Sequence, residues 1–153
     1  MKILTYNMKM RPLPFQHNKD RGYKLSKSIV DKQYNILCFQ EHFTSKYSLL
    51  TGAFDMDMAN FLPGYECVYS PMTSKMFTFC DSGLAIYTKY TVLKTLFCPF
   101  TNSKYTDRVA EKGVLYAKLR VSSTECIHVF NTHTQSGNRK SEQKVRLSQI
   151  EEL

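Results

Sequence analysis

At 153 residues, with 42% hydrophobic and 22% charged side chains, the chain has the size and balance of a single folded domain, which excludes a disordered or low-complexity protein. A formal net charge of +8 favours anionic partners (nucleic acid, acidic lipid headgroups, phosphorylated small molecules) without choosing among them. The five cysteines, Cys38, Cys67, Cys80, Cys98 and Cys126, are odd in number, widely spaced and free of any Cys-x-x-Cys pair, which argues against a disulfide framework or a zinc site and for a reducing compartment.

Taken in chain order, Lys2 to Asn7 is short, apolar and β-branched, and predicts a strand ending at Asn7. Met8 to Asn18, with Pro12 and Pro14, predicts a loop. Asn18 is placed to cap a helix running to about Tyr34, with Leu25/Ile29 and Val30/Tyr34 as apolar pairs at i,i+4 spacing. Ile36 to Gln40 is a continuous apolar run, the pattern of a fully buried strand, with Cys38 as a small buried hydrophobe. Thr44 to Asn60 divides between loop and short helix, Pro63-Gly64 marks a turn, and Tyr65 to Tyr69 is a strand. Pro71 to Asp81 is a loop carrying Met72, Met76, Phe77 and Phe79, which either face out or anchor the loop into the core. Leu84 to Thr88 and Val92 to Phe97 predict two strands around a short turn, followed by a polar, irregular stretch from Pro99 to Lys112.

Val114 to Val121 alternates cleanly. Leu115, Ala117, Leu119 and Val121 point one way, and Tyr116, Lys118 and Arg120 the other. Ser122 to Glu125 is a hairpin connection into a strand from Cys126 to Asn131, with Cys126 expected inside. A final helix starts near Ser141 with Val145, Leu147, Ile150 and Leu153 as apolar positions, and its pattern is still running at the last residue. Arg139, Lys140, Lys144 and Arg146 form a modest basic cluster that reads as a solvated face. The order is β-α-β, then mostly strands, then a helix, which predicts an α/β or α+β layered sheet domain. No apolar stretch approaches a membrane span and no hydrophobic leader precedes Lys2, so the expected location is cytoplasmic.

Three buried-looking strands end in polar residues: one at Asn7, one at Gln40-Glu41, one at Asn131-Thr132-His133. In layered α/β folds ligands gather beyond the carboxyl ends of the strands. Singly, each residue has a bland reading. Glu41 is the first solvated residue after a strand, Asn7 is a turn former, and His133 is structural, as His17, His42 and His128 are expected to be. Jointly they predict a site built on rigid elements.

That joint pattern resembles the endonuclease/exonuclease/phosphatase superfamily. The resemblance rests on Thr5-Tyr6-Asn7, on Ile36-Leu37-Cys38-Phe39-Gln40-Glu41, and on the segment from Ser82 to Tyr90. Within the superfamily, Asp107 to Leu115 and Val129-Phe130-Asn131-Thr132-His133-Thr134-Gln135 are most similar to neutral sphingomyelinases, and Arg146, Gln149 and Leu153 fit the helix that follows. Inositol polyphosphate phosphatases carry a comparable Asn-x-His strand end, and nucleases share the Gln-Glu strand. The resemblance implies a DNase I-like sandwich of two sheets flanked by helices. It implies Glu41 as principal Mg²⁺ ligand with Asn7 beside the metal, and His133, facing the phosphate, together with Asn7 as the catalytic groups. It also implies Asn131, Asp107 and Lys112 as substrate-binding residues.

The expected partner is therefore an anionic or zwitterionic phosphate ester. The leading reaction is hydrolysis of a choline-type phospholipid to ceramide and phosphocholine at a membrane surface. A nuclease, an inositol polyphosphate phosphatase and a non-catalytic binding module are the alternatives, and no obligate protein partner is implied. The superfamily also places a Gly-Asp-x-Asn motif and a final Asp-His pair after the region matched, and neither occurs in this chain. The expectation is a single partial domain over residues 1–153, holding the metal-binding half of the site without the water-activating half.

Overall fold

A computed structural model describes residues 1–10, 18–43, 61–71, 80–104 and 110–153. Its elements are β1 (Ile3–Met10), α1 (Asn18–Lys32), β2 (Ile36–His42), β3 (Glu66–Tyr69), β4 (Ala85–Thr88), β5 (Thr91–Pro99), β6 (Gly113–Arg120), β7 (Cys126–Thr132) and α2 (Lys140–Glu151). They form two sheets, one of four strands ordered β1-β2-β4-β3 and one of three ordered β5-β6-β7. β1 and β2 run parallel, joined through α1, and the other pairings between these strands are antiparallel.

Layering follows from the alternation of side chains along each strand. On one face of the first sheet Leu37, Phe39, Ala85 and Tyr87 pack with Met8, with Leu62 and with Ile29 of α1. On the opposite face Ile36, Cys38, Leu84 and Ile86 meet Leu115, Ala117 and Leu119 of β6. β2 is therefore dry on both faces, as its unbroken apolar run predicts. Each fully buried side chain of the Ile, Leu or Phe class contributes roughly 1.5–3 kcal/mol of transfer free energy. The result is a helix layer, a four-stranded layer and a three-stranded layer, a mixed α/β sandwich as expected.

Some expectations change. β1 does not end at Asn7 but runs to Met10, because its parallel partner also continues and the pairing resumes at Met10↔His42 after a shift in register. α1 ends at Lys32, closed by Gln33 in a left-handed conformation (φ 50°) whose N–H reaches Val30 O. Of the apolar pairs on α1, Leu25 and Ile29 face the core, while Val30 points to solvent.

Cys126 is exposed, because β7 turns Ile127, Val129 and Asn131 inward and leaves Cys126, His128 and Phe130 outside. α2 departs from its expected polarity: Val145 is buried as expected, but Leu147, Ile150 and, just past the helix, Leu153 are exposed, while Glu142 and Gln149 are buried. The helix docks through hydrogen bonds rather than through an apolar stripe. Gln149 accepts from Gln135 N–H at 2.7 Å and donates to Asn102 O at 2.7 Å, while Glu142 accepts from Arg139 N–H at 2.7 Å. Arg146 leaves the basic face to hold the carbonyls of Gln135 and Gly137. Among the described residues, no helix is long and apolar enough to cross a membrane. Met72, Met76, Phe77, Phe79 and His17 lie outside the described residues, as does all of Thr44 to Asn60.

Candidate functional site

Because β1 and β2 are parallel, their carboxyl ends lie side by side, with Asn7 opposite Gln40 in the register. β4 runs the other way and β7 belongs to the second sheet, so the start of β4 and the end of β7 reach the same end of the sandwich. This topology brings Asn7, Glu41 and His133 together although 126 residues separate the first from the last (133 minus 7).

Glu41 has a backbone that L side chains rarely adopt, with φ 51°. Regular alternation would put Phe39 and Glu41 on one face of β2. Instead the left-handed residue breaks the alternation, and His42 joins Phe39, stacking on its ring at 5.8 Å with an interplanar angle of 9°. His42 is buried there, with Tyr87 Oη 3.4 Å from its Nε2. Glu41 is thereby turned toward the other strand ends. Its Oε1 accepts from Asn7 Nδ2 at 2.9 Å and lies 3.5 Å from His133 Nε2.

The Asn7 amide is oriented by its own chain: Oδ1 accepts from Lys9 N–H at 2.8 Å, which leaves Nδ2 to face the carboxylate. Lys9 is left-handed as well (φ 51°), so both parallel strands kink beside the site. Backbone strain of this kind costs about 1–3 kcal/mol per residue and is tolerated where surrounding structure over-determines it. Here the constraint is visible. Gly83, at φ 64°, lies so close that a Cβ on it would sit 3.2 Å from Glu41 Cα and 2.9 Å from the Phe43 ring. Gly83 O also accepts from His42 N–H at 2.8 Å.

Asn131 is placed at the same end but inside, 3% exposed. Its amide donates to Phe39 O and Ala85 O and accepts from Gln40 Nε2. Lys112 is buried too, within electrostatic reach of Cys80, where its charge partly offsets the burial that pushes the thiol up to about 12. Asp107 lies outside the described residues.

A further carboxylate, Asp81, lies behind Glu41, at a position that the expected site residues do not include. Its Oδ1 accepts from Gly83 N–H at 3.0 Å and fixes the turn behind Glu41, while Oδ2 is buried without a hydrogen-bond partner among the described residues. Burial raises its carboxyl to about 7, with the Gly83 N–H pulling the other way. The signal was present as Asp-x-Gly, an Asx turn leading into a strand.

Among the described residues no group of three or more His, Cys, Asp or Glu side chains is gathered for a metal. The site instead offers one carboxylate, an amide and an imidazole. That donor set suits Mg²⁺, which is held by one or two carboxylates and completed by water and substrate phosphate. It does not suit Zn²⁺, which takes three or four protein ligands drawn from Cys, His and carboxylate side chains.

No protein-family model matches the chain. It is 29% identical over 130 residues to a sphingomyelinase from Dictyostelium discoideum, which covers 78% of this chain and 28% of that protein. Among solved structures it superposes on a beta toxin mutant from Staphylococcus aureus with bound magnesium ions, with a TM-score of 0.77 and 22% identity, over 97% of this chain and 56% of that one. It also superposes on an endonuclease/exonuclease/phosphatase family protein from Leptotrichia buccalis, with a TM-score of 0.58 and 18% identity, over 87% of this chain and 53% of that one. The chain thus spans little more than half of these structures and under a third of the curated relative.

Proposed function

This chain has the endonuclease/exonuclease/phosphatase fold and is sphingomyelinase-like, and from that premise we propose that it is the amino-terminal part of a Mg²⁺-dependent phosphodiesterase acting on a phospholipid headgroup. The observation that carries the reading is the convergence of Glu41, Asn7 and His133 on strand ends from both sheets. In this reading Glu41 holds the ion and Asn7 sets the direction of its carboxylate. His133 donates a hydrogen bond to a phosphate oxygen on the same side. When bound, Mg²⁺ supplies stabilisation of charge on the phosphoryl oxygens and leaving group. Water activation falls to residues that a longer parent protein contributes, and the substrate is presented at a lipid surface.

The test is turnover of sphingomyelin vesicles by the longer parent protein with and without Mg²⁺. Glu41→Ala is expected to lower the Mg²⁺-dependent rate by about two orders of magnitude or more. Unchanged turnover of both sphingomyelin and plasmid DNA would sink the assignment of Glu41.

A second reading within the superfamily is favoured by one observation, the net charge of +8, which suits a nucleic-acid backbone. Hydrolysis of plasmid DNA in place of lipid, with binding that weakens steeply as salt rises, selects it.

A further inference from the structure

Glu41 and His133 belong to different sheets, so their 3.5 Å separation depends on how firmly those sheets are tied at this end. The β2–β4 pairing ends at Phe39↔Ala85, and at that point both carbonyls accept from Asn131 Nδ2, at 2.8 Å and 3.0 Å. Asn131 Oδ1 in turn accepts from Gln40 Nε2 at 2.7 Å, and Gln40 Nε2 also lies 3.1 Å from Thr5 Oγ1. One pair of side-chain amides therefore joins β1, β2, β4 and β7. Gln40 stands one residue before Glu41 and Asn131 two residues before His133.

The chemistry leaves little choice of residue at position 131. The site needs two N–H donors on one atom and an acceptor on its neighbour, and a primary amide supplies that set in one short side chain. A carboxylate would turn an oxygen toward two carbonyls, and a hydroxyl has one hydrogen for two acceptors. With all these contacts made and the side chain buried, Asn131 is occupied by the protein itself.

We propose that Gln40 and Asn131 are positioning residues, a clamp that sets the distance between Glu41 and His133 and thereby tunes metal affinity. The inference rests on reading Glu41 and His133 as one metal-and-phosphate site, and it replaces a substrate contact at Asn131 with a supporting one. Partners that orient a ligand without touching the ion typically change metal affinity 10–100-fold when removed.

The experiment is titration of the longer parent protein with MgCl₂ by calorimetry, and with Mn²⁺ by paramagnetic broadening of the His133 ring signals. Gln40→Met is expected to weaken Mg²⁺ binding about 10-fold and to diminish the broadening at His133, with backbone signal dispersion retained. Asn131→Ala is expected to do the same or more, and Gln40→Met stands alone should that variant fail to fold. Ile29→Val, a core truncation on the far face of the first sheet, lowers stability and is expected to leave the affinity as it was, which separates positioning from general destabilisation. Wild-type affinity in Gln40→Met, alongside lost binding in Glu41→Gln, overturns the clamp and leaves the metal site standing. Wild-type affinity in Glu41→Gln overturns both.

Discussion

Replacing Asp81 with Asn isolates a pH dependence that the structure assigns to one carboxyl. Asp81 is almost fully buried, and burial raises it to about 7, against about 3.9 in an unfolded chain. Between those values the folded protein holds a proton that the unfolded chain has released. Stability from this group is therefore complete below the unfolded pKa and is lost as pH rises through about 7.

The slope is at most about 1.4 kcal/mol per pH unit for one proton, and it falls off as the folded group titrates, so the loss is about 2 kcal/mol between pH 5 and 7 and levels off above. Asn at this position keeps an oxygen for Gly83 N–H but brings an NH₂ to where Oδ2 has no partner among the described residues, at a cost of about 1–3 kcal/mol. The variant is expected to be the less stable protein at pH 5 and to match or exceed the wild type at pH 8. Urea unfolding of both proteins across that range measures the difference, in which the titration of every other group cancels. Parallel curves, with a gap constant to about 0.5 kcal/mol, would refute the assignment.

Two further outcomes are expected. Gly83→Ala should lose about 1–3 kcal/mol by urea unfolding and weaken the Mg²⁺ binding proposed for Glu41 as well. The added methyl meets the Phe43 ring at 2.9 Å and the Glu41 backbone at 3.2 Å from a left-handed conformation. A thiol reagent at pH 8 should modify Cys98 and Cys126 rapidly, since both are exposed, and should reach Cys38 and Cys80 only on unfolding. Those two are buried, and burial pushes their thiols up to about 11 and about 12.

The sequence disclosed what depends on local pattern. The apolar run from Ile36 to Phe39 and the alternation from Leu115 to Leu119 located the two innermost strands, and polar residues at strand ends included the three side chains that the fold brings together. What it concealed depends on tertiary contact. Lys9 and Glu41 are both left-handed, Glu41 where Gly83 packs closely against its backbone, and neither Lys nor Glu advertises that conformation. Leu147 and Ile150 sit at helical spacing that predicts burial, yet α2 is held by Gln149 and Glu142, whose partners come from distant loops and its own first turn. Asn131 read as one more polar residue at a strand end, because nothing local shows that two backbone carbonyls await its amide.

The left-handed backbone at Glu41 sets chemistry against thermodynamics at a single position. Glycine would occupy φ 51° without penalty, and an L side chain costs of order 1 kcal/mol or more there. A carboxylate kept at this position is thus held against a standing bias toward its own loss. Any copy of this fold released from the metal role proposed for Glu41 has a one-residue route to greater stability, and Gly or Asn at position 41 would be the mark that it had taken it.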